Sequence, residues 1–128
     1  MSKDIHHEEM FNCSPEKLYD IFMSPEMHGA FTGSPTEIDS EVGGAFSCHG
    51  GMLTGRNLEL VPGKRIVQAW RIKDWPDGAY SVLRLELEAA GEQTRLVMDH
   101  TGVPDEKAEH LDAGWTKMYW NPLRSYLG

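Results

Sequence analysis

The segment Asp105–Leu127, DEKAEHLDAGWTKMYWNPLRSYL, constrains the fold more than any other stretch of the chain. Leu111, Gly114, Trp115, Met118, Tyr119, Pro122 and Tyr126 recur at spacings of three and four, which places them along one stripe of a helix. Lys107, Asp112, Lys117 and Arg124 fall on the other side. A helix with one aromatic face needs a large apolar surface to cover it. Only a sheet built from the preceding segments can supply one.

Those segments read as strands and two short helices. Ile5–Asn12 alternates weakly and is expected as a first strand. Ser14-Pro15-Glu16 and Ser24-Pro25-Glu26 carry the same helix start, an N-cap serine followed by proline in the first turn. Leu18, Tyr19, Ile21 and Phe22 form the buried stripe of the first helix; Met27, Ala30 and Phe31 are the apolar residues of the second. Thr32-Gly33-Ser34-Pro35, Gly43-Gly44, Gly50-Gly51 and Pro62-Gly63 are expected turns. Between them lie strands at Glu37–Glu41, Ala45–His49, Met52–Val61 and Arg65–Lys73, with Gly55 expected as a bulge. Tyr80–Ala89 and Thr94–Thr101 alternate clearly, with Leu83, Leu85 and Leu87 on one face of the first and Leu96, Met98 and His100 on one face of the second. Hairpin-length connections make the sheet antiparallel. The fold class is therefore α+β: a curved antiparallel seven-stranded sheet wrapped on a long C-terminal helix, with two short helices after the first strand. Pro122 inside the final helix predicts a kink near Met118–Pro122 or a loose last turn.

The length of 128 residues fits a single domain over 1–128. A formal net charge of −8 disfavours nucleic acid and anionic membranes as partners. The polar N-terminus is no signal peptide, and no apolar run of about 18 residues is present, so the chain is expected to be cytoplasmic with free thiols at Cys13 and Cys48. The six histidines show no metal spacing, and no cofactor motif is present.

The run GRNLELVPGKRIVQAWR, then YSVLRLELEAAGEQTRLVMDHTGVP, then GWTKMYWNPLRSYL resembles the group of proteins similar to the C-terminal domain of the Hsp90 ATPase activator Aha1, within the START/Bet v 1-like superfamily. The matching elements are Gly43-Gly44, Gly55, Pro62-Gly63, Trp70, Thr94–Pro104 and Gly114-Trp115. The resemblance implies a helix-grip fold with an apolar cavity between helix and sheet, often used for hydrophobic small molecules. The activator proper has two domains, and stimulation leans on its N-terminal one, which has no counterpart in this stretch. Hsp90 is therefore not expected as a partner.

Period two assigns the inward faces. Phe46 and Cys48 go together on one strand; Ile66, Gln68 and Trp70 share another. With Leu85, Met98 and His100 from the sheet and Trp115, Met118 and Tyr119 from the helix, they give an apolar pocket with few polar atoms, a mix that suits ligand binding. Gln68 is the most suggestive member, because a buried amide without partners costs roughly 1–3 kcal/mol and something must bond it. His100, at a strand end, is either a satisfied structural histidine or a pocket group. Trp75, in the loop DWPDGA, is expected to cap its own strand end, with covering the pocket end or contacting a partner from an exposed position as the alternatives. Cys48-His49 points to opposite faces and makes no dyad.

The main reading is a binding module for a small hydrophobic or amphipathic molecule, with no catalytic residue assigned. Two alternatives stand beside it. One is a cyclase- or hydrolase-like enzyme using His100, Gln68 and Tyr119; the other is a chaperone-regulator-type interaction module acting through its surface.

Overall fold

The computed structural model describes residues 2–33, 36–39, 41–48 and 51–127, without the side chains of residues 2 and 3. The turn at Ser34-Pro35, His49 and Gly50 fall outside them. Strand β1 (Ser2–Phe11) is followed by helices α1 (Pro15–Met23) and α2 (Pro25–Thr32). Both start as the serines dictate. The Ser14 hydroxyl accepts the Lys17 N–H at 3.2 Å, and that of Ser24 accepts the Met27 N–H at 3.3 Å. Ser24 also donates its own N–H to the Asp20 carbonyl, so one residue closes α1 and opens α2. Gly33 ends α2 in the left-handed region, φ 71°.

Strands β2 (Thr36–Ile38), β3 (Ala45–Cys48), β4 (Leu53–Val61), β5 (Arg65–Ile72), β6 (Ser81–Ala90) and β7 (Gln93–Pro104) complete a fully antiparallel sheet in the order β1-β7-β6-β5-β4-β3-β2. The first strand therefore lies beside the last, and the two short helices carry the chain from one edge of the sheet to the other. α1 rests on β6 and β7. Burial alternates as the leucine pattern requires, with Leu83, Leu85, Leu87, Leu96 and Met98 inward.

Gly55 is not the bulge. The register of β4 against β5 shifts at Leu58, between Asn57 and Glu59. Gly55 is a point of close approach instead: a Cβ there would stand 1.9 Å from the Ala69 carbonyl oxygen and 2.5 Å from the Phe46 ring. The absent side chain is what lets Phe46 lie flat on the inner face of the sheet.

The final helix runs as α3 (Asp105–Trp115), a π-helical turn (Thr116–Trp120) and α4 (Asn121–Leu127). Pro122 has no N–H to offer residue 118. The ladder widens just before it, and the Asn121 N–H donates to the Thr116 carbonyl, five residues back. The extra residue in this turn rotates the buried stripe. Ala108, Trp115, Tyr119, Trp120 and Leu123 are buried, whereas Met118 and Tyr126, placed on the stripe by strict three-four spacing, are exposed. Trp120, absent from that stripe, is completely buried. Among the described residues no helix is long and apolar enough to cross a membrane.

Candidate functional site

Three indoles run through the interface between helix and sheet. Trp115 stacks on Trp70 of β5 with centroids 5.4 Å apart, and on Trp120 at 5.2 Å. Phe46 and Leu85 from the sheet, and Phe22 from α1, close around this stack. What remains enclosed is a cavity of only about 20 Å³, room for about one water molecule. Of the residues expected to form a pocket, it brings together Phe46, Cys48, Gln68, Trp70, Leu85, Trp115 and Tyr119. Met98 and His100 line neither this cavity nor the outer groove described below, and both are fully buried. Met98 lies opposite Leu85 on the part of the sheet that α1 covers, so its side chain is spent on packing.

The polar groups around the indoles are bonded to one another. An indole can only donate, so the Trp115 Nε1–H reaching His100 Nδ1 at 3.2 Å requires that nitrogen to be unprotonated. The His100 proton then sits on Nε2 and is donated to Ser81 Oγ at 2.6 Å, whose hydroxyl donates on to the Trp70 carbonyl at 3.3 Å. The chain satisfies every group in it. Burial pushes His100 down to about 3, so the ring is neutral at physiological pH. His100 is thus a satisfied structural histidine, and neither of its nitrogens is presented to an empty space.

Gln68 donates to Asn57 Oδ1 at 3.0 Å. Asn57, almost fully buried, donates in turn to the carbonyls of Asp39 and Glu41 at 2.6 and 3.1 Å, which pins the β2–β3 connection to the sheet. Burial drives the Cys48 thiol up to about 11 and holds the Tyr119 phenol well above its ordinary range.

Sequence reasoning passed over two histidines. His28 meets Tyr119 Oη through Nε2 at 3.2 Å and the Phe22 carbonyl through Nδ1 at 3.0 Å, and its ring stacks on Phe31. Its spacing of three from Phe31 was the available signal. His7 accepts the Trp120 Nε1–H on Nδ1 at 2.8 Å and pairs with Asp112 through Nε2, fastening β1 to the final helix. No sequence signal announces that contact.

Outside the closed core, between α3 and the ends of β4 and β5, lies an open groove of about 680 Å³. Leu53, Trp70, Ile72 and Trp115 reach it from the core. Met52, Trp75, Leu111 and Met118 line it further out. Met118, expected inside the pocket, belongs to this groove. Trp75 is buried here and covers the end of the helix–sheet interface. Lys107 and Asp74 join across it at 3.1 Å. Among the described residues no cluster of three or more histidine, cysteine or acidic side chains could hold a metal ion.

The model of the family described as "Activator of Hsp90 ATPase homolog 1-like protein" matches residues 12–128. The chain belongs to this family. Among its relatives, the human "Activator of 90 kDa heat shock protein ATPase homolog 1" is 34% identical over 121 residues, covering 94% of this chain and 36% of the relative. The "Activator of 90 kDa heat shock protein ATPase homolog" of Dictyostelium discoideum is 35% identical over 117 residues, 91% of this chain and 30% of the relative. The chain thus spans about a third of the length of these curated relatives. A solved HSP90 activator from Plasmodium falciparum superposes with a TM-score of 0.90 at 28% identity, over all of this chain and 96% of that one. Its helix-grip architecture is the one described above.

These similarities overturn the expectation that Hsp90 is no partner. That expectation rested on the activator's N-terminal domain having no counterpart in this stretch. A negative surface discriminates against polyanions, but it says nothing against a protein partner. Four relatives aligned over 91–96% of the chain are themselves named for the 90 kDa heat shock protein.

Proposed function

We propose that this chain is an Hsp90-binding regulatory module that works through its surface. The observation that carries the reading is the 34% identity to a named Hsp90 ATPase activator across 94% of the chain. The filled interior supports it: an enclosed space of about 20 Å³ is far below the 300–1,000 Å³ of a typical small-molecule pocket. The enzyme alternative has lost its centre, because His100 is neutral, doubly bonded and turned away from both spaces. The test is calorimetric titration of the intact chain into full-length Hsp90, with the ATPase rate followed in parallel. A complex with Kd below about 100 μM and a changed ATPase rate is expected. Absence of any heat at that concentration overturns the reading.

A second reading has one observation behind it. The groove at Met52, Trp75, Leu111 and Met118 has about 680 Å³, within the size range of ligand sites. An amphipathic small molecule would lie there, against the indoles, and not in the enclosed cavity. Titration with an environment-sensitive apolar fluorophore should then saturate at one equivalent, and Met118→Arg should abolish it. A wild type that binds no fluorophore removes this reading.

A further inference from the structure

We infer that Hsp90 is received on the outer face of the sheet, over β2–β6, through a segment that carries a lysine or arginine beside a bulky apolar side chain. This rests on the Hsp90 reading above and names the surface it uses.

The outer face is divided in two. On one part, the charges neutralise each other. Arg65 bridges Glu59 and Glu86 at 2.9 and 2.7 Å, and Arg84 joins Glu86 at 2.6 Å. Arg95 ties Glu8 to Glu88, and His6 meets Asp99 and Glu8. A surface this self-satisfied offers little to a partner.

The other part is built differently. The outward residues Ala45, Ser47, Thr54 and Ala69 are small and adjacent in register: Ala45 and Ala69 flank Arg56, and Ser47 faces Thr54. They leave a trough of about 770 Å³ on the half of the sheet nearer β2. Tyr80 and Leu58 line it, exposed to 58% and 49%. Val82, opposite Ala69 in register, extends the apolar strip at 40% exposure. Glu37 and Asp39 line it too, from the β2 side. Among the described residues neither carboxylate is in an ion pair. Arg56 lines the trough as well, in register between Ala45 and Ala69, with its guanidinium turned onto the Gly43 carbonyl at 3.0 Å.

An apolar trough whose two rim carboxylates lie outside any ion pair among the described residues and outnumber its one arginine is complementary to an apolar group with a cation next to it. Tyrosine is also among the residues that most often anchor protein interfaces.

The experiment measures full-length Hsp90 binding by wild type, Glu37→Lys, Tyr80→Ser and the helix-side control Tyr126→Ser, each checked for an unchanged thermal melt. All three positions are exposed. Expected are a wild-type affinity that falls with salt, losses of about tenfold or more for Glu37→Lys and Tyr80→Ser, a flattened salt dependence in Glu37→Lys, and wild-type affinity in Tyr126→Ser. If wild type binds and both sheet variants bind equally well, the surface assignment is wrong while the Hsp90 reading stands. Should wild type not bind at all, the Hsp90 reading fails and takes this assignment with it.

Discussion

Acid should destabilise this protein in part through one buried residue. His100 is fully buried, and its ring is neutral in the folded state, with its folded value at about 3 against the ordinary 6.5. At pH 7 both the folded and the unfolded chain carry an uncharged ring, and nothing is at stake. As pH falls below 6.5 the unfolded chain binds a proton that the folded chain refuses, so stability drops by about 1.4 kcal/mol per pH unit. The loss continues until the folded value is reached. Between pH 7 and pH 4.5 it comes to roughly 3 kcal/mol, a large share of the 5–15 kcal/mol typical of a domain. His6 works in the opposite direction. The hydrogen bonds it donates to Asp99 and Glu8 raise it, so its contribution is full below the unfolded value and fades as pH rises through the folded one. The assay is urea unfolding at pH 7 and 4.5, followed by tryptophan fluorescence, for wild type and His100→Asn. The asparagine oxygen can still accept from Trp115, but the side chain no longer titrates. Wild type should lose roughly 3 kcal/mol more than the variant over this interval. Equal losses in the two proteins would refute the account.

Three further outcomes follow from the packing. Gly55→Ala forces a methyl group into the Ala69 carbonyl and the Phe46 ring, and should cost about 3 kcal/mol or more in urea melts; a neutral substitution would show that the strands move apart freely. Met98→Trp enters neither the enclosed cavity nor the groove, because Met98 is fully buried and lines neither; its thermal melt should fall by the equivalent of about 1–3 kcal/mol, and an unchanged melt would reveal hidden space beside it. Trp115→Ala removes the middle of the indole stack and the donor to His100. It should cost about 3–5 kcal/mol, and a loss under 1 kcal/mol in the same assay would contradict the anchoring role.

Much of the architecture was legible because local chemistry and long-range packing agree. Ser14 and Ser24, each followed by proline, start helices wherever they stand. The alternating leucines of β6 determine an inward face as soon as one side of the sheet is buried. The misses share a cause: each depends on a neighbour distant in sequence or on a departure from ideal period. Strict helical spacing placed Met118 inside and overlooked Trp120, because the π-turn before Pro122 adds a residue to the repeat. Gly55 looked like a bulge, and only its partner across the sheet, Phe46, explains it. The candidate pocket residues were chosen by face. Face says which side chains point inward, not how much volume they leave, and three stacked indoles leave almost none. Gln68 had its bonding partner in Asn57, on the adjacent strand.

The pairing of β1 with β7 also sets when this protein can fold. Phe11 lies opposite Thr94, and His6 opposite Asp99, so the sheet closes across a loop of most of the chain. Such non-local closure is entropically expensive and slow compared with helix formation. On the ribosome, β1 emerges long before the strand that completes it. It must wait, with Ile5 and Phe11 uncovered, until β7 and the helix behind it have cleared the exit tunnel.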